Sequence, residues 1–122
     1  QPLYRLKTGD YRASAEAISC QQSIAGDSAY SLAMLAQFSD LLAADPGMYP
    51  RLYWETGLIG QVLYLQAEAI ALRGTGIGCF FDEQMHQLLG LNNDKWQDLY
   101  HFTVGYPIED KRLQTKPAYF HL

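Results

Sequence analysis

Few charges occur in this sequence, and no run of one sign exceeds two residues. Charged residues fill 18% of its 122 positions, against a usual share of about a quarter. No block of Lys and Arg occurs. With a net charge of −4 and a pI near 5.2, a nucleic-acid partner is not expected. Nine tyrosines and five phenylalanines are present. Without a basic groove to carry a backbone, they read as core packing rather than base stacking.

Cysteine is equally scarce. Cys20 and Cys79 are the two present, far apart and in no C-x-x-C pair. They define neither a zinc site nor a disulfide framework. We read them as two free thiols in a reducing cytoplasm, with a single bridge left open. His86, His101 and His121 have no metal-ligand spacing, so no metal is expected and structural or surface roles are assigned to them. No P-loop, G-x-S-x-G elbow or H-E-x-x-H occurs.

Long apolar runs are also missing. Leu58 to Leu72 is apolar, but Gln61, Gln66 and Glu68 interrupt it, so no membrane span is expected. QPLYRLKTGD at the N-terminus lacks the charged-then-apolar order of a signal peptide, which favours a cytoplasmic location. Gln1 in place of Met suggests a processed or partial chain.

What is present is apolar side chains, 48% of the residues. That share with so little charge predicts a face that one chain leaves uncovered. A homo-oligomer or a missing partner segment would account for it. The length suits one domain, residues 1–122.

The central stretch runs from Arg51 to Asp82. Arg51 to Arg73 contains no proline and predicts a helix of roughly 34 Å. Leu58, Ile59, Val62 and Leu63 line one face, and Leu65, Ala69 and Leu72 another. Such a helix is expected to be buried on most sides, either as a core crossing or at a dimer axis. Gly57 and Gly60 within it predict the close approach of another backbone. Glu55 is expected to be buried or partnered, or else to sit on the helix surface. Gly74-x-Gly76-x-Gly78 then predicts a turn, with Gly74 as the helix C-cap and a short strand at Cys79-Phe80-Phe81. Such a turn can connect a helix to a strand, or expose backbone N–H groups to a ligand.

Around that stretch the elements are shorter. Residues 1–11 predict a strand or arm, and Arg12 to Gln22 a helix. Gly26-Asp27 marks a turn. Ala29 to Phe38 suits a buried strand or a helix, and its length and flanks favour the strand. A helical turn follows, then Asp45-Pro46-Gly47 as a turn, with Pro50 in a helix first turn. Asp82 is expected to cap a helix ended by Gly90. Leu99 to Gly105 alternates β-formers and is the clearest strand. The tail carries Lys111, Arg112 and Lys116, a candidate phosphate grip or a solvated C-terminus.

The order of these features resembles the nitroreductase superfamily. The residues that carry it are YWETGLIGQVLYLQAEAIALRGTGIGCFFDEQMHQLLGL (53–91) and LYHFTVGYPIEDKRL (99–113). Within them stand Glu55-x-Gly57, Gln61, Leu65, the glycine turn, Asp82, Leu88-Leu89-Gly90-Leu91 and Val104-Gly105-x-Pro107. The likeness is nearest to the C-terminal portion of the SagB/ThcOx dehydrogenase branch.

The resemblance implies an α+β fold, a three-layer sandwich with a mixed, mainly antiparallel sheet packed by long helices. It implies an FMN-dependent oxidoreductase, drawing on NADH or NADPH and acting on a small organic or peptide-derived substrate. It implies a homodimer, with a further N-terminal segment or a companion chain completing the domain. By position, Gly76, Ile77, Gly78 and Cys79 match the loop along the flavin ring, and Lys111 and Arg112 the basic position near the FMN phosphate. PGMYPRLYW (46–54) holds Tyr49 and Tyr53 but no lysine, so the Lys-Tyr pair of azoline oxidases has no counterpart there. No catalytic residue is assigned. The rival expectation is a non-catalytic binding or scaffold subunit on the same fold.

Overall fold

Strand Trp96–Gly105 is the piece on which the others are assembled. In the computed structural model, which describes residues 3–122, it is the middle strand of three. In chain order the elements are α1 (Arg12–Ile18), α2 (Ser23–Asp27), β1 (Tyr30–Gln37), α3 (Ser39–Ala44), α4 (Met48–Ala69), β2 (Arg73–Ile77), α5 (Asp82–Leu89) and β3 (Trp96–Gly105). The sheet order is β1-β3-β2, and β3 pairs antiparallel with both neighbours.

The pleat sorts side chains onto two faces. Leu32, Met34, Tyr100, Phe102 and Val104 face α4 and build the main core with Leu63, Ala67 and Leu72. Phe102 is fully buried, which contributes about 1.5–3 kcal/mol in transfer alone. Tyr64 from α4 meets its ring edge-on at 4.8 Å between centroids. Across the sheet, α1, α2 and α5 cover the opposite face.

α4 uses only one stripe against the sheet. Leu52, Thr56, Gly60 and Ala67 are buried, whereas Trp54, Leu58, Ile59, Val62 and Leu65 are exposed. The two stripes start two residues apart, about 200° round the helix. The expected burial on most sides is therefore not met within one chain. Glu55 is exposed too, so of its two expected settings the helix surface holds. At Gly60 the close neighbour is the Tyr100 ring rather than a backbone, and Gly57 faces open space.

Several boundaries move. The predicted helix over 12–22 stops at Ile18, because Cys20 and Gln21 turn left-handed with φ of 56° and 59°. Residues 3–11 form no strand and are exposed, while Gln1 and Pro2 lie outside the described residues. The long helix ends at Ala69 with Ile70 as its C-cap, ahead of Gly74. Phe81 takes the cap position of α5, and Asp82 opens the helix itself. Gly90 closes α5 in the left-handed region at φ 74°, as its sequence position predicts. β1 and the Leu99–Gly105 strand form as expected, the latter starting earlier, at Trp96.

The glycine segment departs most. Gly74 and Gly76 belong to strand β2, not to a turn, and Cys79-Phe80-Phe81 forms no strand. The glycines are there because aromatic rings press on the strand. A Cβ on Gly74 would lie 2.7 Å from Phe102 Cζ, and one on Gly76 would lie 1.8 Å from Tyr100 Oη. No Cβ fits at either distance.

Candidate functional site

The segment Gly76 to Cys79 leaves the sheet where β2 ends. Gly76 N–H donates to Tyr64 Oη at 2.7 Å, and Ile77 is buried opposite His101 in the β2–β3 ladder. Both residues are engaged within the chain. Gly78 differs: nothing lies within 4 Å of a Cβ built on it, and it is exposed. Cys79 beside it is exposed as well. Backbone that a planar ligand can approach is therefore limited to Gly78 and Cys79.

Cys79 is not a free thiol. It is bonded to Cys20, with Cα atoms 5.8 Å apart, and no free cysteine exists among the described residues. This overturns the reading of two free thiols. The fold brings the two together by closing α1 onto the end of β2, a proximity that a separation of 59 residues conceals in sequence. Two hydrogen bonds reinforce the join: Phe81 N–H donates to Ile18 O at 2.8 Å, and Gln22 Nε2 donates to Cys79 O at 3.2 Å.

Lys111 and Arg112 stand apart from this segment. Among the described residues, no hydrogen bond or ion pair joins them to Gly76–Cys79. Arg112 instead grips Asp110, Nε to Oδ1 at 2.9 Å and Nη2 to Oδ2 at 2.6 Å. That pairing holds the Asp110 carboxyl below its usual range and raises the Arg112 guanidinium. Both ends are solvated, so the pair is worth little and an anion could displace it.

A buried polar cluster lies beneath the bridge, and sequence reading did not assemble it. Leu99 is an extra residue in β3, because Met34 pairs with Tyr100 while Leu35 pairs with Asp98. The bulge resets the alternation and brings Asp98 and His101 together. His101 Nε2 lies 2.6 Å from Asp98 Oδ2, and Ser19 Oγ lies 3.4 Å from His101 Nδ1. Phe80 stacks on the imidazole at 4.3 Å. All three polar residues are buried, and Asp98 Oδ1 finds no partner. Of the structural or surface settings expected for His101, the buried one holds. The charge pattern Asp98-x-x-His101 gave no warning, because three residues apart on a regular strand means opposite faces.

Tyr49 and Tyr53 pack together at 5.1 Å. Burial, then the neighbouring Tyr49 side chain, pushes Tyr53 up to about 12. Burial also raises Tyr100, with Tyr64 adding to it. A cleft of about 350 Å3 opens between α2, the start of β2 and Tyr106–Ile108, with Arg73 on its wall. Among the described residues, no group of His, Cys, Asp and Glu could hold a metal ion, and no helix is long and apolar enough to cross a membrane.

An α+β domain with a helix-covered antiparallel sheet and an exposed Gly-Cys edge is thus in hand. Residues 8–106 match the Nitroreductase family, and the chain belongs to that family. No match is found among curated proteins. Among solved structures, a candidate nitroreductase from Anabaena variabilis is similar at 29% identity and a TM-score of 0.76, covering 82% of this chain and 20% of that one. Nitroreductase A from Vibrio parahaemolyticus is similar in fold, at 20% identity and TM-score 0.68, over 91% of this chain and 51% of its own. The NADPH:FMN oxidoreductase from Vibrio harveyi, complexed with NAD+, gives 20% and 0.67 over 91% and 52%. The chain spans about half of the Vibrio proteins and a fifth of the Anabaena one.

Proposed function

We propose that this chain is the C-terminal portion of an FMN-dependent oxidoreductase, a three-layer nitroreductase sandwich of the SagB/ThcOx kind. The observation that carries the reading is the open backbone at Gly78 and Cys79 in a chain of this family. FMN, when bound, supplies the two-electron chemistry, with NADH or NADPH as donor and a small organic or peptide-derived substrate as acceptor. The residues of this chain bind and orient. Gly78 and Cys79 would lie along the ring, with Gly76 and Ile77 fixing their position through Tyr64 and the β2–β3 ladder. Arg112 and Lys111 would take the phosphate, Arg112 exchanging Asp110 for it, once a second wall brings the tail close.

That second wall is supplied by a further segment or by a second copy of the chain. The outward stripe of α4, Trp54, Leu58, Ile59, Val62 and Leu65, is 49–68% exposed. Apolar surface of this continuity calls for a partner, and a homodimer through α4 is our assignment. We place the protein in the cytoplasm.

The test is titration of the protein with FMN, followed by the flavin's own fluorescence, alongside sedimentation at micromolar concentration. Saturable quenching by a dimer is expected. A folded monomer that leaves FMN fluorescence unchanged would instead support the scaffold reading.

A further inference from the structure

Residues on either side of the Cys20–Cys79 bond share one set of contacts. Cys20 and the following Gln21 hold left-handed φ, a region that L side chains adopt only when the surroundings enforce it. Gln22 anchors their far side, its Nε2 donating to both Ser19 O at 2.8 Å and Cys79 O at 3.2 Å. On the other side of the join, nothing lies within 4 Å of a Cβ built on Gly78, and Cys79 is exposed. Beyond it, Phe80 stacks on His101 and Phe81 bonds to Ile18. Gly78–Cys79 is therefore a short span, firmly held at Phe80, open to solvent, and tied back chiefly by one covalent bond.

We propose that Cys20–Cys79 is a thiol-reducible bridge, a modification site at which low-molecular-weight thiols release the Gly78–Cys79 span from α1. Cys79 is the more exposed of the two bridged residues, so its side is the one an attacking thiolate approaches. The thiolate forms a bond to Cys79 Sγ, the Cys20–Cys79 bond breaks, and Cys20 departs as a thiolate that takes a proton from solvent. A second thiolate attacks the mixed disulfide and releases Cys79. Two small thiols are oxidised to one disulfide, and the bridge gains two electrons and two protons. The Phe81–Ile18 hydrogen bond and the β1–β3–β2 ladders do not depend on sulfur, so release is local: Gln22 Nε2 gives up Cys79 O while the sheet stays intact. The proposal goes beyond the flavin reading and stands without it; where both hold, the bridge sets where that wall of the cofactor site rests.

The experiment is thiol trapping with mass spectrometry on the native protein, before and after dithiothreitol and without denaturant, with amide hydrogen exchange read in parallel. Before reductant, no cysteine should alkylate; afterwards, both should. Exchange at Gln22, whose amide donates to Ser19 O, should quicken by about tenfold while the β1–β3 ladder is unchanged. Cys79→Ser should reproduce the reduced pattern, and if that variant does not fold, reduction of the unaltered protein gives the same reading. Two thiols before reductant, a bridge that yields only in denaturant, or exchange unaltered by reduction would each overturn the proposal.

Discussion

The two faces of the sheet solve the same packing problem by opposite means. Against α4, the sheet presents Met34, Phe102 and Val104, and holds by area and fit. Against α1, α2 and α5, it presents His101, Asp98 and Thr103, which are buried but polar. That face is secured by hydrogen bonds and by a covalent bridge at its margin. An apolar face tolerates shifts but not lost volume. A polar face tolerates little change of partner, because a buried group left unpaired costs more than its bond contributed. β3 belongs to both faces, and a single bulge at Leu99 lets it do so.

Substitutions should separate the two. Phe102→Ala empties the centre of the apolar face and should lower stability by about 3–5 kcal/mol in chemical denaturation; a loss below 1 would mean that the α4 face is not the main core. Cys20→Ser should lower it by roughly 2–4 kcal/mol, through the freed loop between the two cysteines, as measured against the oxidised protein. Gly76→Ala forces Tyr100 from its place and should remove about 1–3 kcal/mol. At the outer edge, alkaline titration gives the smallest effect. Tyr53 ionises near 12 in the fold against an ordinary value of 10.0. Its folded value is raised, so its contribution is complete below pH 10 and declines as pH rises toward 12. Tyr53→Phe should flatten that part of the stability profile, read by circular dichroism.

How much of this was legible in the sequence follows from the range of the forces. Leu99–Gly105 and the helix beginning near Pro50 were readable because local alternation determines the one and a long proline-free run at helical spacing the other. Gly90 was readable because only its local φ mattered. Gly74 and Gly76 were misread as a turn. Their reason lies in Phe102 and Tyr100, more than twenty residues away, and no local pattern records a ring pressing on a strand. The bridge escaped for the same reason, since its partners meet only after the sheet has formed. The Asp98–His101 pair depended on one extra residue in a strand. At the candidate site, the segment Gly76–Cys79 was named by resemblance, and its division into an engaged half and an open half required coordinates. Lys111 and Arg112 were named with it, and the fold leaves them on an exposed tail.

Gly78 and Cys79 are proposed to form one wall of a flavin site. Gly78 suits a direct test, because its φ is not positive and nothing lies within 4 Å of an added Cβ. The fold has room for a side chain there, and only a ligand lying on the backbone would lose by it. The measurement is the FMN dissociation constant of Gly78→Val beside the unaltered protein, both oxidised and both checked for equal melting temperature. The account predicts FMN binding that weakens by at least about tenfold in the variant, or 1.4 kcal/mol, with melting unchanged. Equal affinity in the two proteins would contradict it.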